Sequence, residues 1–208
     1  MDNQLFFKKN GYLVLRGVLS KEILELLTIQ TKLDEKIKCF QKNKNIEDYF
    51  FHDYDTPYAY TGYSMLCYES LLEILQPFIE QHINIELLPT YSYFRIYYKN
   101  AELTRHIDRE ACEYSVSICI DCQGEPWDIY IKNYENKEQC IALNKGDILI
   151  YKGSELEHWR NVYEGNQQIQ AFLHYIDKNG QNINEVYDNR PFIGLPPCYS
   201  QDPFISLK

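Results

Sequence analysis

No zinc-ribbon spacing and no long apolar run occur in this 208-residue chain, and its single CxxC, Cys119-Ile-Asp-Cys122, has no second pair to match it. Its seven cysteines are scattered. That excludes a paired-thiolate metal ribbon, and the odd number argues for reduced thiols over a disulfide framework. No stretch approaches the roughly 18 apolar residues that a membrane span needs. The opening Met-Asp-Asn-Gln-Leu-Phe-Phe-Lys-Lys does not have the pattern of a secretory leader. The expectation is a cytoplasmic protein without a membrane partner. Basic residues are also the minority, 21 Lys and Arg against 30 Asp and Glu, for a net charge of −9. With no basic patch to offset that balance, nucleic acid is not an expected partner.

Tyrosine, by contrast, is plentiful at 19 residues, within a hydrophobic content of 45%. Tyrosine is favoured on sheets, so composition leans towards β, and the apolar content suffices for a sizeable core. The length suits a single domain, residues 1–208. Within it we expect an N-terminal strand and helices with an aromatic loop over about 1–86, a β-rich core over about 87–177, and an irregular tail over 178–208.

The N-terminal part reads as a short helix at 5–8 and a buried strand between Gly11 and Gly17. Ser20 then caps a helix over about 20–37, whose Leu19, Ile23, Leu26 and Leu27 recur at helical spacing. Residues 41–64 read as an aromatic loop covering a sheet mouth, a candidate lid; His52, Asp53 and Asp55 within it are more simply loop residues than a second metal cluster. A second helix is expected over 65–84, bent at Pro77, with His82 a cation near its C-terminus. From Leu87 the period changes to two: Tyr91, Tyr93, Arg95 and Tyr97 alternate with Ser92, Phe94, Ile96 and Tyr98. Further strands follow at roughly ten-residue spacing with polar turns, the pattern of a barrel or jelly roll. Asp147 is expected to serve the Gly146 turn. Helices first and strands after make the fold class α+β, mainly β.

The chemistry centres on residues 104–120, where a strand carries His106 and, two residues on, Asp108. Side chains at i and i+2 of a strand share a face, so both can reach one ion. His158 follows about fifty residues later. Two imidazoles and one carboxylate suit non-haem Fe(II), with positions left open for substrate and oxygen; zinc accepts the same donors.

The wider context resembles a known family. Ser92-Tyr-Phe-Arg95-Ile-Tyr97, Leu103-x-x-His106-x-Asp108, Glu113-x-Ser115, Gly146-Asp147-Ile-Leu-Ile-Tyr151, Glu157-His158-Trp-Arg160 and Phe172-Leu-His-Tyr175 together look like the 2-oxoglutarate- and Fe(II)-dependent oxygenases. The prolyl-hydroxylase-like and phytanoyl-hydroxylase-like branches are the most similar. The opening Phe6-x-x-x-x-Gly11-Tyr-Leu-Val-Leu15 resembles their N-terminal entry. The resemblance implies a double-stranded β-helix, the cupin-type jelly roll, with N-terminal helices packed on the major sheet. It implies that His106 and Asp108 end one strand while His158 begins a facing one. The cofactors would be Fe(II), 2-oxoglutarate and O2, with succinate and carbon dioxide as co-products. The substrate would be a small molecule or a peptide, hydroxylated at a C–H bond. Asp108 matters here because halogenating relatives vacate that position.

One departure stands out. Much of the superfamily has Arg or Lys about ten residues after the second His to bind the far carboxylate of 2-oxoglutarate, but this chain has Asn166-Gln167-Gln168. A buried bare carboxylate needs donors. Arg160 ranks first, because it shares a strand face with His158; Tyr97 and Arg95 follow. Arg109 and Trp159 flank ligands. Trp159 reads as packing, and His174 reads as a satisfied core histidine. The alternative reading is a cupin-type metal-binding module or metal-dependent isomerase working without 2-oxoglutarate.

Overall fold

The computed structural model describes residues 2–41 and 57–195. Helix α1 (Asn3–Asn10) is capped by Asp2, whose side chain accepts from Gln4 N. Strand β1 (Tyr12–Leu15) and helix α2 (Lys21–Gln41) follow. The segment expected to be loop contains a strand, β2 (Ala59–Tyr63). Helix α3 (Leu66–Ile83) runs through Pro77 and ends at Asn84 in the left-handed region, φ 56°. The β-rich part comprises β3 (Leu87–Tyr98), β4 (Leu103–His106), β5 (Tyr114–Cys122), β6 (Ile129–Lys132), β7 (Glu138–Ile141), β8 (Ile148–Tyr151), β9 (His158–Arg160) and β10 (Gln167–Asp177).

These strands form two antiparallel sheets. The major one runs β1-β8-β5-β10-β3-β2 and the minor one β4-β9-β6-β7. Strand alternation divides the residues of the major sheet between two environments. Val116, Ile118, Ile148, Ile150, Ile169, Ala171 and Leu173 join the buried cluster that also holds Leu27 of α2 and Leu71, Leu72, Leu75 and Ile79 of α3. Each buried Val, Ile or Leu among them contributes about 1.5–3 kcal/mol by leaving water. The alternate residues face the minor sheet, and they include most of the polar residues singled out above. Leu149 and Tyr151 of β8 meet Ile129 and Ile131 of β6 there.

The Gly146 turn leads into β8 at φ 84°, where a Cβ would meet Leu19 O at 2.9 Å. Asp147 accepts from Gly17 N (2.8 Å), Asn144 N (2.9 Å) and Arg16 Nη1 (2.7 Å). It therefore ties the exit of β1 to this turn, the structural role expected of it.

Two N-terminal expectations need correction. α2 is longer than 20–37, and Ile23 and Leu26, expected to face the core, are exposed. The lid candidate at 41–64 divides: residues 42–56, with His52, Asp53 and Asp55, lie outside the described residues, whereas Tyr60 and Tyr63 belong to β2, which pairs with β3 at the edge of the major sheet. The described part of the tail, 178–195, has turns of 3-10 helix at Ile183–Asn189 and is otherwise irregular, and the rest of the expected tail lies outside the described residues. No described helix is long and apolar enough to cross a membrane.

Candidate metal centre

His106 is the last residue of β4 and His158 the first of β9. These strands do not face each other across the barrel. They are hydrogen-bonded neighbours in the minor sheet, with His106 and His158 directly opposite in register, so the imidazole ring centroids are 4.3 Å apart. Asp108 lies beyond the strand end and is placed separately: its N–H donates to Gly153 O at 2.9 Å. Gly153 is required there, because a Cβ would overlap Asp108 Oδ2 and Ser115 Oγ.

Both imidazoles are fixed in one tautomer. His106 Nδ1–H donates to Thr104 O (2.7 Å) and His158 Nδ1–H to Leu156 O (2.9 Å), which leaves each Nε2 lone pair for a cation. The two Nε2 atoms lie 3.5 and 3.6 Å from Asp108 Oδ1, and the three donor groups fall within 4.8 Å of one another. Ser115 Oγ donates to the other oxygen, Oδ2, at 3.0 Å. Burial raises the Asp108 carboxyl, but without a metal the His106 and His158 rings, which donate to it once protonated at Nε2, outweigh burial and hold the group well below the usual carboxylate range. The same contact with Asp108 raises His106. A carboxylate held ionised between two Nε2 atoms is a cation site in charge and in geometry.

The three residues sit in a cavity of about 330 Å3, whose wall includes Tyr63, Tyr91, Tyr93, Phe172, Arg95, Arg109 and His174. Tyr63 and Tyr91 stack at 4.9 Å. Arg109 lies over the Tyr91 ring at 4.7 Å and pairs with Asp188 at 2.7 Å; Tyr63 also donates to Asp188. The tail thus supplies one wall of the mouth. It does so through Tyr187, Asp188 and Asn189, all in the left-handed region at φ 54–59°. Such backbone persists only where its surroundings hold it, and here a buried pair does. Arg190 Nη1 meets Glu69 Oε2 at 3.1 Å, and Arg190 Nη2 donates to Thr90 O at 2.9 Å.

His174 is a satisfied buried histidine that also lines the cavity. Its Nδ1 lies 2.9 Å from Ser115 Oγ. Since Ser115 donates to Asp108, His174 Nδ1–H donates to Ser115, and a chain of two hydrogen bonds braces the carboxylate from behind. Burial pulls His174 down to about 4. Composition and motif did not reveal this link; the alternation of Phe172 and His174 along β10 could have placed it in the interior. Trp159 packs instead: it stacks on Tyr130 at 5.5 Å, beneath Arg105 at 3.6 Å.

The three anchor candidates separate. Arg95 lines the cavity, and its Nη1 lies 3.4 Å from Tyr97 Oη. Tyr97 is buried, edge-on to Trp127 at 4.9 Å. Arg160 is 1% exposed and donates through Nη1 to Trp127 O. Among the described residues its Nε and Nη2 meet no acceptor, and burial lowers its pKa. Gln168, where the superfamily often has a cation, instead accepts from Trp127 N (3.1 Å) and donates to Gln170 (3.0 Å), which donates to Ser117 (2.8 Å).

No family model matches the sequence, and no curated protein matches it either. Solved structures do. A Pseudomonas putida prolyl-4-hydroxylase superposes with a TM-score of 0.61 at 11% identity, over 83% of this chain and 96% of that one. HygX from Streptomyces hygroscopicus, solved with nickel, 2-oxoglutarate and hygromycin B, gives 0.63 at 13% identity, over 88% and 89%. The non-haem α-ketoglutarate-dependent carbocyclase SnoK of nogalamycin biosynthesis gives 0.66 at 10%, over 84% and 83%. The chain is similar to each over most of both lengths: it has the double-stranded β-helix fold of the 2-oxoglutarate-dependent oxygenases.

Proposed function

We propose that the chain is a 2-oxoglutarate- and Fe(II)-dependent oxygenase, one domain hydroxylating a C–H bond of a small molecule or an amino-acid side chain. One observation carries the reading: two Nε2 atoms and one carboxylate oxygen lie within 4.8 Å of one another, and the strand that bears His158 also bears a buried arginine with two nitrogens unpartnered among the described residues. The first set suits a divalent cation. The second calls for an anion, since a buried uncompensated guanidinium is costly. His158 and Arg160 are two strand residues apart, about 6.6 Å along β9, a separation matching a five-carbon dicarboxylate.

His106, Asp108 and His158 would hold the metal. Bound iron would supply oxygen activation, coupling conversion of 2-oxoglutarate to succinate and carbon dioxide with C–H oxidation. The remaining work belongs to the chain. Ser115 keeps Asp108 turned so that Oδ1 faces both imidazoles. Arg160, with the Tyr97 hydroxyl, receives the far carboxylate in place of the cation missing at Gln168. Tyr91, Tyr93 and Phe172 form an aromatic wall that excludes water and sets the substrate's orientation. The related folds span such substrates: one neighbour is named a prolyl hydroxylase and another carries hygromycin B.

Gln168 keeps the second reading, a cupin-type binding module or isomerase without 2-oxoglutarate, in play. One anaerobic titration separates the two. Fe(II) followed by 2-oxoglutarate is expected to give the visible charge-transfer band of a chelated 2-oxo acid, a band that Fe(II) alone does not give. Tight metal binding with no band would overturn the oxygenase reading in favour of the second.

A further inference from the structure

Helix α2 carries two apolar faces. Leu27 and Cys39 are buried beside Thr31 and Glu35 on the body of the protein. On the opposite side, Ile23, Leu26, Ile29, Leu33, Ile37 and Phe40 are each between 41% and 85% exposed. These are six of the fifteen large apolar side chains exposed among the described residues, and they lie along one stripe of one helix. An ordinary surface helix is polar on its outer face. The outer stripe also has a regular period. Ile23, Leu26, Ile29, Leu33, Ile37 and Phe40 recur at steps of three and four, a coiled-coil-like seam sustained over about 26 Å of helix.

We propose that this stripe is the interface of a homodimer, in which α2 of one copy packs antiparallel against α2 of a second copy across a two-fold axis. The area fits this occupant. The exposed apolar surface of the six side chains is on the order of 600 Å2, above the few hundred Å2 that isolated monomers tolerate and near the ~800 Å2 per partner of a standard interface. The pattern fits it as well, because a two-fold antiparallel pairing centred between Gln30 and Leu33 sets Ile23 opposite Phe40 and Leu26 opposite Ile37. Charge selects the direction. Glu25 and Lys36 are three turns apart on the same flank of the stripe. Antiparallel packing brings Glu25 of each copy beside Lys36 of the other, whereas parallel packing places the two flanks on opposite sides of the pair, where these charges cannot meet. The contact that Glu25 makes within its own chain, to Lys21 at 3.7 Å between exposed side chains, is weak. The interface lies on the far side of the helix from the sheet, so it does not depend on the oxygenase reading.

The test is sedimentation velocity with light scattering on the full chain across the micromolar range. A dimer is expected, and Leu26→Glu with Leu33→Glu should leave a monomer whose far-ultraviolet circular dichroism is unchanged. Glu25→Lys should weaken the dimer about threefold to tenfold by creating two like-charge contacts, and adding Lys36→Glu should restore it. A wild-type monomer throughout the range would overturn the proposal, as would a dimer that survives the double glutamate variant. A monomer that melts lower once Leu26 and Leu33 are replaced would show that the chain covers its own stripe, and so would also overturn it. A dimer indifferent to the charge reversal would refute the antiparallel arrangement.

Discussion

The two ends of the barrel interior treat polar groups in opposite ways. At the mouth, the nitrogens and oxygens behind the metal site are satisfied by the protein: Thr104 O and Leu156 O fix the imidazoles, and Ser115 braces Asp108. Only the inward lone pairs remain. Deeper inside, Arg160 donates to Trp127 O, and among the described residues its Nε and Nη2 are buried without an acceptor. The mouth is therefore complete as a template, ready for a cation without rearrangement. The deep end is incomplete as protein, and it is the position that the proposed reading gives to the far carboxylate of 2-oxoglutarate. Preorganisation in one place and deliberate deficit in the other predict opposite responses to substitution.

The largest effect is expected at the mouth. His106→Ala or Asp108→Ala should weaken divalent-metal affinity by more than about a hundredfold, since losing even an outer partner of a ligand costs 10- to 100-fold, while the fold persists. Calorimetric titration with Mn(II) and a circular dichroism melt check both halves, and 2-oxoglutarate turnover surviving in either variant would sink the assignment. Arg160→Met should respond differently. Two lost charge-assisted hydrogen bonds weaken 2-oxoglutarate binding by about 10- to 100-fold, with metal affinity nearly unchanged. Meanwhile the ligand-free protein should gain stability, on the order of 1 kcal/mol, because a buried unpaired charge is gone. An unchanged requirement for 2-oxoglutarate would move the anchor to Arg95 and Tyr97.

A third effect, on stability alone, belongs to the brace behind Asp108. His174 has a folded pKa of about 4, below the ordinary 6.5, so between those values the unfolded chain binds more protons and acid favours unfolding. Metal-free protein should lose about 2 kcal/mol from this source between pH 7 and pH 5. Urea titrations at the two pH values should show His174→Gln losing less, and an equal loss in variant and wild type would remove His174 from the account.

Sequence made the alternating elements legible. Tyr91, Tyr93, Arg95 and Tyr97 could be assigned one face of β3 because a period of two has only two faces to offer. The helix was harder, because a period of 3.6 does not say which of two apolar stripes packs inward, and Ile23 and Leu26 face out. Strand β2 was hidden because an edge strand rich in tyrosine and glycine reads as loop. The pairing of β4 with β9, and the link from His174 to Ser115, join residues more than fifty positions apart, and no local period encodes such contacts. Arg190 is the extreme case, meeting Glu69 across 121 positions.

That last contact bears on how the mouth is completed. Strand β10 ends at Asp177, so every strand of both sheets exists once that residue has been made. The mouth does not. Asp188, which meets Arg109 and Tyr63, lies two residues before Arg190, which is seated against Glu69, and Gly194 N donates to the same carboxylate at 2.8 Å. The strands of both sheets are thus complete without the tail, and the mouth of the cavity is finished by a segment that one buried carboxylate, Glu69, pins in place.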